Sequence, residues 1–207
     1  MQTRETPLFT PTEAAVLTRL SVKAVNNAID KKTVPTVAGQ RTGRATRLLD
    51  LHALMSLTLE RRLADRFVPE LCREVFDALA TASRNRVSLD GGFLTIDLRE
   101  PRRALSIGLR SLRRARDLVI SDPDLMGGDP VFRGARIQVH LIATLLAHGS
   151  TEIDLLEAYP RLTAEMVRLA SIYVAAYPLR GRPRAQPWHD QPSAQSARRD
   201  LAAIAAV

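Results

Sequence analysis

The chain has 207 residues, a formal net charge of +8 at neutral pH and a single cysteine, Cys72. Hydrophobic residues make up 45% of the sequence but aromatic residues only 4%, so aliphatic side chains must build the core of an otherwise ordinary globular composition. One cysteine excludes an internal disulfide and a cysteine-based zinc site. The positive charge favours an acidic partner such as nucleic acid.

Other whole-chain features exclude further classes of protein. No stretch of about 18 consecutive apolar residues is present, and residues 1–10 lack the apolar segment of a signal peptide. We therefore expect a cytoplasmic protein with no membrane contact. We expect that the protein is not an enzyme and binds no cofactor or metal, because nucleophile motifs are missing and the histidines lie far apart in the sequence. These histidines are His52, His140, His148 and His189.

Two short N-terminal helices are predicted from their capping residues. Thr10 and Glu13 form a capping box, with Pro11 at the first helical position. Ser21 can cap a second helix. The residues expected to face inward from this second helix are Val22, Val25 and Ile29. Two short helices joined by a tight turn predict a helix-turn-helix, in which the second helix reads DNA.

A basic β-hairpin is predicted after the second helix. Strands at 34–37 and 46–49 flank a turn from Gly39 to Gly43, and arginines cluster around this turn. A basic hairpin in this position is a wing, whose arginines can enter a DNA groove or clamp phosphates. A helix capped by Asp50 should follow the wing.

Residues 9–66 resemble the winged-helix DNA-binding domain of MerR-type regulators. The resemblance is carried by the run EAAVLTRLSVKAVNNAID and the basic wing that follows it. Winged helices also serve as protein–protein modules, so a purely structural domain is the alternative. The predicted DNA-binding residues are Thr12, Ser21, Lys23, Asn26, Asn27, Lys31, Arg41, Arg44 and Arg47.

Residues 67–117 are expected to form a helical and β-hairpin linking region. A helix should run from Pro69 to about Ala82, a hairpin should turn at Gly91-Gly92, and a second helix should run from Pro101 to about Asp117. This second helix carries an arginine band on its outer face, which could contact a phosphate backbone, stay solvated or bind an acidic partner. The band consists of Arg102, Arg103, Arg110, Arg113, Arg114 and Arg116.

A turn-rich arm occupies residues 122–139, DPDLMGGDPVFRGARIQV. Asp-Pro turns and the Gly127-Gly128 pair punctuate it, and the alternation of Ile137, Val139 and Leu141 with polar residues predicts a half-buried strand that then feeds a helix. A phosphate cradle at the glycine pair is disfavoured, because no Gly-rich nucleotide motif follows and nearby aspartates would repel phosphate.

Three short helices are expected after the arm. Gly149 should end the first, Ser150 or Thr151 should cap the second and Thr163 the third. We expect Ile153 among the buried residues of the second helix. The surface of this unit is acidic, through Glu152, Asp154, Glu157 and Glu165, which argues against its being the main DNA reader.

Residues 118–178 resemble the bacterial domain-of-unknown-function family 433. The matching motifs are Asp122-Pro123, the Gly127–Pro130 turn, Arg133–Ile137, Tyr159-Pro160 and Leu162-Thr163, with Ala135 where the family usually has threonine. This resemblance implies a dimerising, helix-turn-helix-like domain. It also implies similarity to VapB-type antitoxins, which are often encoded beside PIN-like ribonuclease toxins.

The tail at 179–207 is rich in proline, glycine and polar residues, so we expect it to be flexible alone and to bind a partner. Its arginines suit the acidic face of a nuclease, and its tryptophan suits a partner groove, although folding back onto its own domain is the alternative. The predicted toxin-binding residues are Arg182, Arg184, Trp188, Arg198 and Arg199.

The sequence thus predicts a mainly α fold with short β-hairpins, in which an N-terminal winged helix-turn-helix at 1–66 precedes a C-terminal three-helix domain. The expected function is that of a homodimeric type II antitoxin, which neutralises a PIN-like ribonuclease and represses its own operon by binding DNA. The alternatives are a stand-alone winged-helix transcriptional regulator and an adaptor that binds only protein.

Overall fold

Helices dominate the chain, as the computed structural model shows for the residues it describes, 7–41, 44–63, 67–79 and 85–179. The helices are α1 (Pro11–Thr18), α2 (Val22–Asp30), α3 (Leu51–Leu63), α4 (Pro69–Leu79), α5 (Arg99–Asp117), α6 (Val139–Ala147), α7 (Glu152–Ala158) and α8 (Ala164–Ala176). The strands are β1 (Val37–Arg41), β2 (Arg44–Leu48), β3 (Arg86–Leu89), β4 (Leu94–Asp97), β5 (Val119–Ile120) and β6 (Val131–Phe132). The strands pair as antiparallel hairpins, β1 with β2, β3 with β4 and β5 with β6. These elements confirm the predicted mainly α fold with short β-hairpins.

Helices α1 and α2 begin where their capping residues predict. The backbone amide of Glu13 donates to the Thr10 hydroxyl, and the Glu13 carboxylate accepts from the Thr10 amide at 2.8 Å, which completes the capping box. The Ser21 hydroxyl accepts from the Ala24 amide at 3.1 Å. The turn between the helices is tight because Arg19 adopts a left-handed conformation. The predicted inward position of Val22 is wrong, because this side chain at the first turn of α2 is 39% exposed.

The strands of the wing pair over five residues each and extend further along the hairpin than the sequence indicates. Val34 is buried ahead of β1, and Gly39 lies inside β1 rather than in the turn, paired with Thr46. A Cβ at Gly39 would lie 2.5 Å from Leu48 Cδ1, so a larger residue here would have to displace the end of the Leu48 side chain. The pairing of β1 with β2 reaches Arg41 and Arg44.

The hydrophobic core of the helix-turn-helix extends through the region expected to link two domains. Leu49, Leu54 and Leu57 form one buried cluster with residues from α1, α2, α4, the β3–β4 hairpin and α5. The members from 67–117 are Cys72, Val75, Phe76, Leu79, Val87, Leu98, Leu105 and Leu112. The boundary expected at residue 66 therefore does not coincide with an edge of the core.

Helix α5 begins two residues before the predicted Pro101 and crosses α1 closely. The crossing occurs at Gly108, where a Cβ would lie 3.4 Å from Leu17 Cδ2 and 3.6 Å from the Leu17 carbonyl oxygen. Glycine lets the two helix backbones approach at this point.

The turn-rich arm forms a hairpin whose strands have only two residues each. β5 pairs with β6, and a 3-10 turn at Met126–Gly128 lies between them. The predicted strand through Ile137, Val139 and Leu141 is wrong, because Arg136 takes a positive φ of 57° and α6 begins at Val139. The alternation of apolar residues here coincides with the first helical turn and does not mark a strand.

Helices α6, α7 and α8 form the predicted C-terminal triplet around a second buried cluster. The Thr151 hydroxyl caps α7 in a capping box with Asp154, and the Thr163 hydroxyl caps α8. Phe132, Val139 and Ile142 lie in this cluster. The predicted burial of Ile153 is wrong, because this α7 side chain is 68% exposed.

Helix α8 connects the two clusters. Met166, Val167 and Ala170 belong to the C-terminal cluster, whereas Ala176 belongs to the N-terminal one. The Tyr177 hydroxyl donates to Glu13 Oε1 at 2.5 Å, and Glu13 is only 1% exposed. The carboxylate that caps α1 therefore also holds the end of α8. Across the described residues, no helix is long and apolar enough to cross a membrane.

Candidate nucleic-acid interface

The outward face of α2 carries two of the predicted DNA-binding residues. Lys23 and Asn27 are exposed and lie four residues apart, so they project from the same side of the helix. Val25, Ala28 and Ile29 are buried on the other side. An exposed lysine can contact a phosphate, and an exposed asparagine can hydrogen-bond the edge of adenine.

Lys31 has a second charge beside it. Glu60 of α3 is half-buried, and desolvation raises the pKa of its carboxyl group, while the positive charge of Lys31 partly opposes this rise. The Lys31 ammonium group therefore attracts the Glu60 carboxylate, and this attraction would compete with a phosphate at the end of α2.

Three further predicted residues differ in their suitability. Ser21 is exposed at the start of α2, where the helix dipole and its own hydroxyl can face a phosphate. Asn26 is half-buried. The structure does not support Thr12 as a contact, because it is 8% exposed and its hydroxyl lies 3.1 Å from the Thr10 hydroxyl. Thr12 belongs to the packing of α1.

The wing is tied to α2 by an ion pair. Arg47 Nη1 lies 2.8 Å from Asp30 Oδ1, and both side chains are more than half exposed. Such an exposed pair contributes little stability, but it joins the base of the wing to the end of α2. Arg41 and Arg44 face one another across the last pair of β1 and β2 in the described backbone.

The arginine band of α5 is partly used inside the molecule. Arg114 makes a two-pronged contact with Glu165 of α8, from Nε to Oε1 at 2.8 Å and from Nη2 to Oε2 at 2.9 Å. Hydrogen bonding to Arg114 lowers the pKa of the Glu165 carboxyl group. Arg102 is half-buried, and the remaining members are exposed. Sequence reasoning missed the Arg114 contact, because its partner lies 51 positions away.

The charges of the C-terminal triplet are largely committed to the triplet and to α5. Arg168 Nη1 lies 3.5 Å from Glu152 Oε1, and Asp154 accepts from the Thr151 amide at 2.9 Å. The hydrogen bond from the Thr151 amide, and to a smaller extent the one from the Thr151 hydroxyl, lowers the pKa of the Asp154 carboxyl group. Few cations of this unit therefore remain for phosphates.

Other predicted sites have different outcomes. Residues Arg182, Arg184, Trp188, Arg198 and Arg199 lie outside the described residues. Within the described residues, no group of three or more histidine, cysteine or acidic side chains is placed to hold a metal ion. Cys72 is buried, and this burial raises the pKa of its thiol, so it is a poor nucleophile.

Comparison with known proteins places the chain in a family. Residues 119–174 match the family described as "Protein of unknown function (DUF433)", which confirms the resemblance predicted for the C-terminal part. The "Uncharacterized protein y4eO" of Sinorhizobium fredii (strain NBRC 101917 / NGR234) is 39% identical over 182 residues, which cover 83% of this chain and 82% of y4eO. The chain belongs to the family of y4eO.

The similarity to y4eO extends beyond the DUF433 segment, because it covers 83% of the chain. Among solved structures, Rv2018 from Mycobacterium tuberculosis aligns with 81% of this chain and 98% of its own, at 16% identity and a TM-score of 0.33. This TM-score is too low to indicate a shared fold.

Proposed function

We propose that this y4eO-family chain is a DNA-binding antitoxin. Its N-terminal winged helix, of the kind found in MerR-type regulators, binds the operator of its own operon. The same chain neutralises a PIN-like ribonuclease, as VapB-type antitoxins do. The observation that carries the DNA-binding half is the outward face of α2, where Lys23 and Asn27 are exposed beside a wing joined to α2 through Arg47 and Asp30.

The geometry supports DNA in preference to a purely structural role. A helix-turn-helix inserts the start of its second helix into the major groove, and Ser21, Lys23 and Asn27 occupy the first turns of α2. The base of the wing is held beside the end of the same helix by the Arg47–Asp30 pair, so we expect DNA that lies against α2 to meet the wing in the neighbouring groove. The net charge of +8 supplies long-range attraction to phosphates.

The antitoxin half of the proposal rests on the DUF433 match and on the tail. The match covers 119–174, the segment whose resemblance implies dimerisation and association with ribonuclease toxins. Leu141 on α6 and Ile153 on α7 are apolar side chains of this segment that remain exposed, as a contact with a second copy would require. The arginines and Trp188 of the tail supply the chemistry for an acidic nuclease surface.

A gel-shift titration on the chain's own promoter tests the DNA-binding half. Lys23→Ala and Asn27→Ala should each weaken binding about tenfold, since one phosphate or base contact contributes roughly 1–3 kcal/mol. The matched control is Arg161→Ala, which removes one exposed cation from the loop between α7 and α8. Equal effects of Lys23→Ala and Arg161→Ala would contradict the assignment, and absence of binding by the unaltered chain would favour an adaptor that binds only protein.

Deletion of residues 179–207 tests the antitoxin half. The shortened chain should bind the promoter as before but fail to protect cells from a ribonuclease encoded beside it. A chain that loses promoter binding and still protects would refute this division of labour. A genome with no neighbouring nuclease gene would leave the stand-alone transcriptional regulator as the better account.

A further inference from the structure

A cavity between α3 and α5 is not used by the proposed DNA interface. Its volume is about 390 Å³, which lies within the ~300–1,000 Å³ range of small-molecule sites. Most of its wall is apolar, formed by side chains from the two helices and from the end of α4. These apolar side chains are Leu51, Met55, Leu79, Leu105 and Leu109.

Two nitrogen-bearing side chains also line this cavity, His52 from α3 and Arg102 from α5. His52 Nε2 and Arg102 Nε are both buried and have no hydrogen-bond partner in the described part of the chain. A buried guanidinium nitrogen without an acceptor is unfavourable, because it has lost water and gained nothing in return. Two polar side chains at the cavity wall therefore each have a nitrogen that lacks a partner, which a ligand could supply after a local rotation.

The positions of these residues in their helices make the observation specific. Arg102 shares one face of α5 with Leu105, Leu109 and Leu112, where the helical repeat calls for an apolar residue. The neighbouring Arg103 points to solvent. His52 likewise shares the inward face of α3 with Met55 and Leu59. Two polar side chains thus occupy core-facing positions on two adjacent helices and meet at one cavity.

We propose that this cavity binds a small amphiphilic carboxylate, such as a medium-chain fatty acid. The carboxylate head accepts from Arg102 and His52, and the hydrocarbon tail lies against Met55, Leu79 and Leu105. A planar guanidinium matches a carboxylate in shape and charge. A doubly charged phosphate fits less well, because the cavity offers one permanent cation and mostly apolar walls.

Binding includes a local adjustment of the two polar side chains. Both nitrogens lie beneath the cavity surface, so a rotation of the imidazole or the guanidinium has to bring them to the ligand. Side-chain rotations of this kind are common on ligand binding and need no movement of the helices. Ser106 lies at the same cavity and adds a hydroxyl that a carboxylate oxygen can contact.

Calorimetric titration of the full chain with octanoate tests the proposal. We expect saturable binding of one octanoate per chain. Octanamide, which keeps the tail and loses the charge, and acetate, which keeps the charge and loses the tail, should each bind at least tenfold more weakly. Absence of octanoate binding, or equal binding of octanoate and octanamide, would overturn the proposal.

Arg102→Gln and Arg103→Gln form the matched pair of variants. Arg102→Gln should weaken octanoate binding at least tenfold, whereas Arg103→Gln should leave it unchanged, because only Arg102 lines the cavity. Equal binding by the two variants would show adsorption to the surface and would refute the site. Arg102→Gln also removes the buried Nε that has no partner, so its melting temperature without ligand should match or exceed that of the unaltered chain.

A second variant, which keeps the charge of Arg102, tests whether the loss of that charge affects binding only indirectly. Leu109→Trp enlarges a half-buried side chain at the wall of the cavity and should block octanoate without touching either polar group. The readout is the rise in melting temperature on adding octanoate, which Leu109→Trp should abolish. A rise as large as in the unaltered chain would place the ligand elsewhere and contradict the proposal. The calorimetric titration and the melting measurement do not require DNA, so their outcomes are independent of the proposed operator binding.

Discussion

The N-terminal helix-turn-helix and the C-terminal triplet share a kind of helix cap and differ in what their charges contact. Helices α1, α2, α7 and α8 begin at serine or threonine caps, whereas α6 has Gln138 at its cap position and no side-chain cap. On α2 the side chains of Lys23 and Asn27 face outward, whereas in the C-terminal triplet Glu165 binds Arg114 and Glu152 lies against Arg168. The arrangement of helices in a helix-turn-helix therefore does not by itself predict DNA binding. Cations that remain exposed on its surface are the feature that predicts it.

The largest expected effect comes from breaking the connection between the modules. Glu13→Ala removes the acceptor of both the Tyr177 hydroxyl and the Thr10 amide. Both donors are only half-buried, and losing the acceptor of such a donor costs about 1 kcal/mol each, so the free energy of unfolding should fall by roughly 2 kcal/mol. Urea denaturation measures this change.

Tyr177→Phe is the matched test of the same contact. It removes one hydrogen bond and keeps the ring that lies 4.9 Å, centroid to centroid, from Tyr173. The loss should be about 1 kcal/mol, clearly smaller than that of Glu13→Ala. Equal losses for the two variants would mean that Glu13 contributes only through its bond to Tyr177, whereas no loss for Tyr177→Phe would mean that Glu13 acts only as the cap of α1.

A smaller effect separates the two lysines of α2. Each phosphate contact adds about −0.9 to the slope of the logarithm of the binding constant against the logarithm of salt concentration. Lys23→Ala should reduce the steepness of this slope by about one contact, and Lys31→Ala by less, because Lys31 also interacts with Glu60. Fluorescence anisotropy over a range of salt concentrations measures both slopes. Identical changes would show that Lys31 is as available to DNA as Lys23.

The helix crossing at Gly108 predicts a small gain in stability. An alanine methyl would lie 3.4 Å from Leu17 Cδ2, at the edge of ordinary contact, and alanine is favoured over glycine inside a helix by about 1 kcal/mol. Gly108→Ala should therefore raise the free energy of unfolding by roughly 0.5 kcal/mol, while Gly108→Leu should lower it, because the α1 backbone stands in the way. Thermal unfolding of both variants checks the opposite signs.

The smallest effect concerns the pair between α5 and α8. The pKa of the Glu165 carboxyl group is lowered in the folded chain, so its contribution to stability is present above its ordinary pKa and is lost as the pH falls through the lowered value. Arg114→Ala should return the pKa of Glu165 toward its ordinary value, as carbon-detected NMR titration can measure. The same variant should leave promoter binding unchanged, and a tenfold loss would move the DNA surface onto α5.

Local chemistry made most of the helices predictable. A capping side chain bonds to an amide three residues away, so Thr10, Ser21 and Thr163 were predicted directly from the sequence, and Thr151 was one of two candidates with Ser150. The errors arose where packing overrides a local pattern. Gly39 was predicted in the turn but lies inside β1 against Leu48. The alternation of apolar residues after Arg136 fits a helical turn as well as a strand.

The candidate sites depended on contacts between distant parts of the chain. The outward face of α2 follows from the helical repeat, so Lys23 and Asn27 were predictable. Thr12 lies at the second position of α1, and nothing in its spacing revealed that packing would bury it. Tyr177 and Glu13 are 164 positions apart, and the cavity of Arg102 and His52 is formed by separate helices. Sequence periodicity carries no information about such pairs.

The hydrogen bond between Glu13 and Tyr177 limits how this chain can be divided or recombined with others. A fragment that stops at residue 118 includes the helix-turn-helix but leaves the carboxylate of Glu13 in the core without the hydroxyl that it binds. Chimaeras that exchange C-terminal segments therefore have to transfer a hydroxyl at 177 together with α8. The helix-turn-helix of this chain is therefore not an independent unit, because the carboxylate in its first helix, α1, is bound by the tyrosine that follows α8.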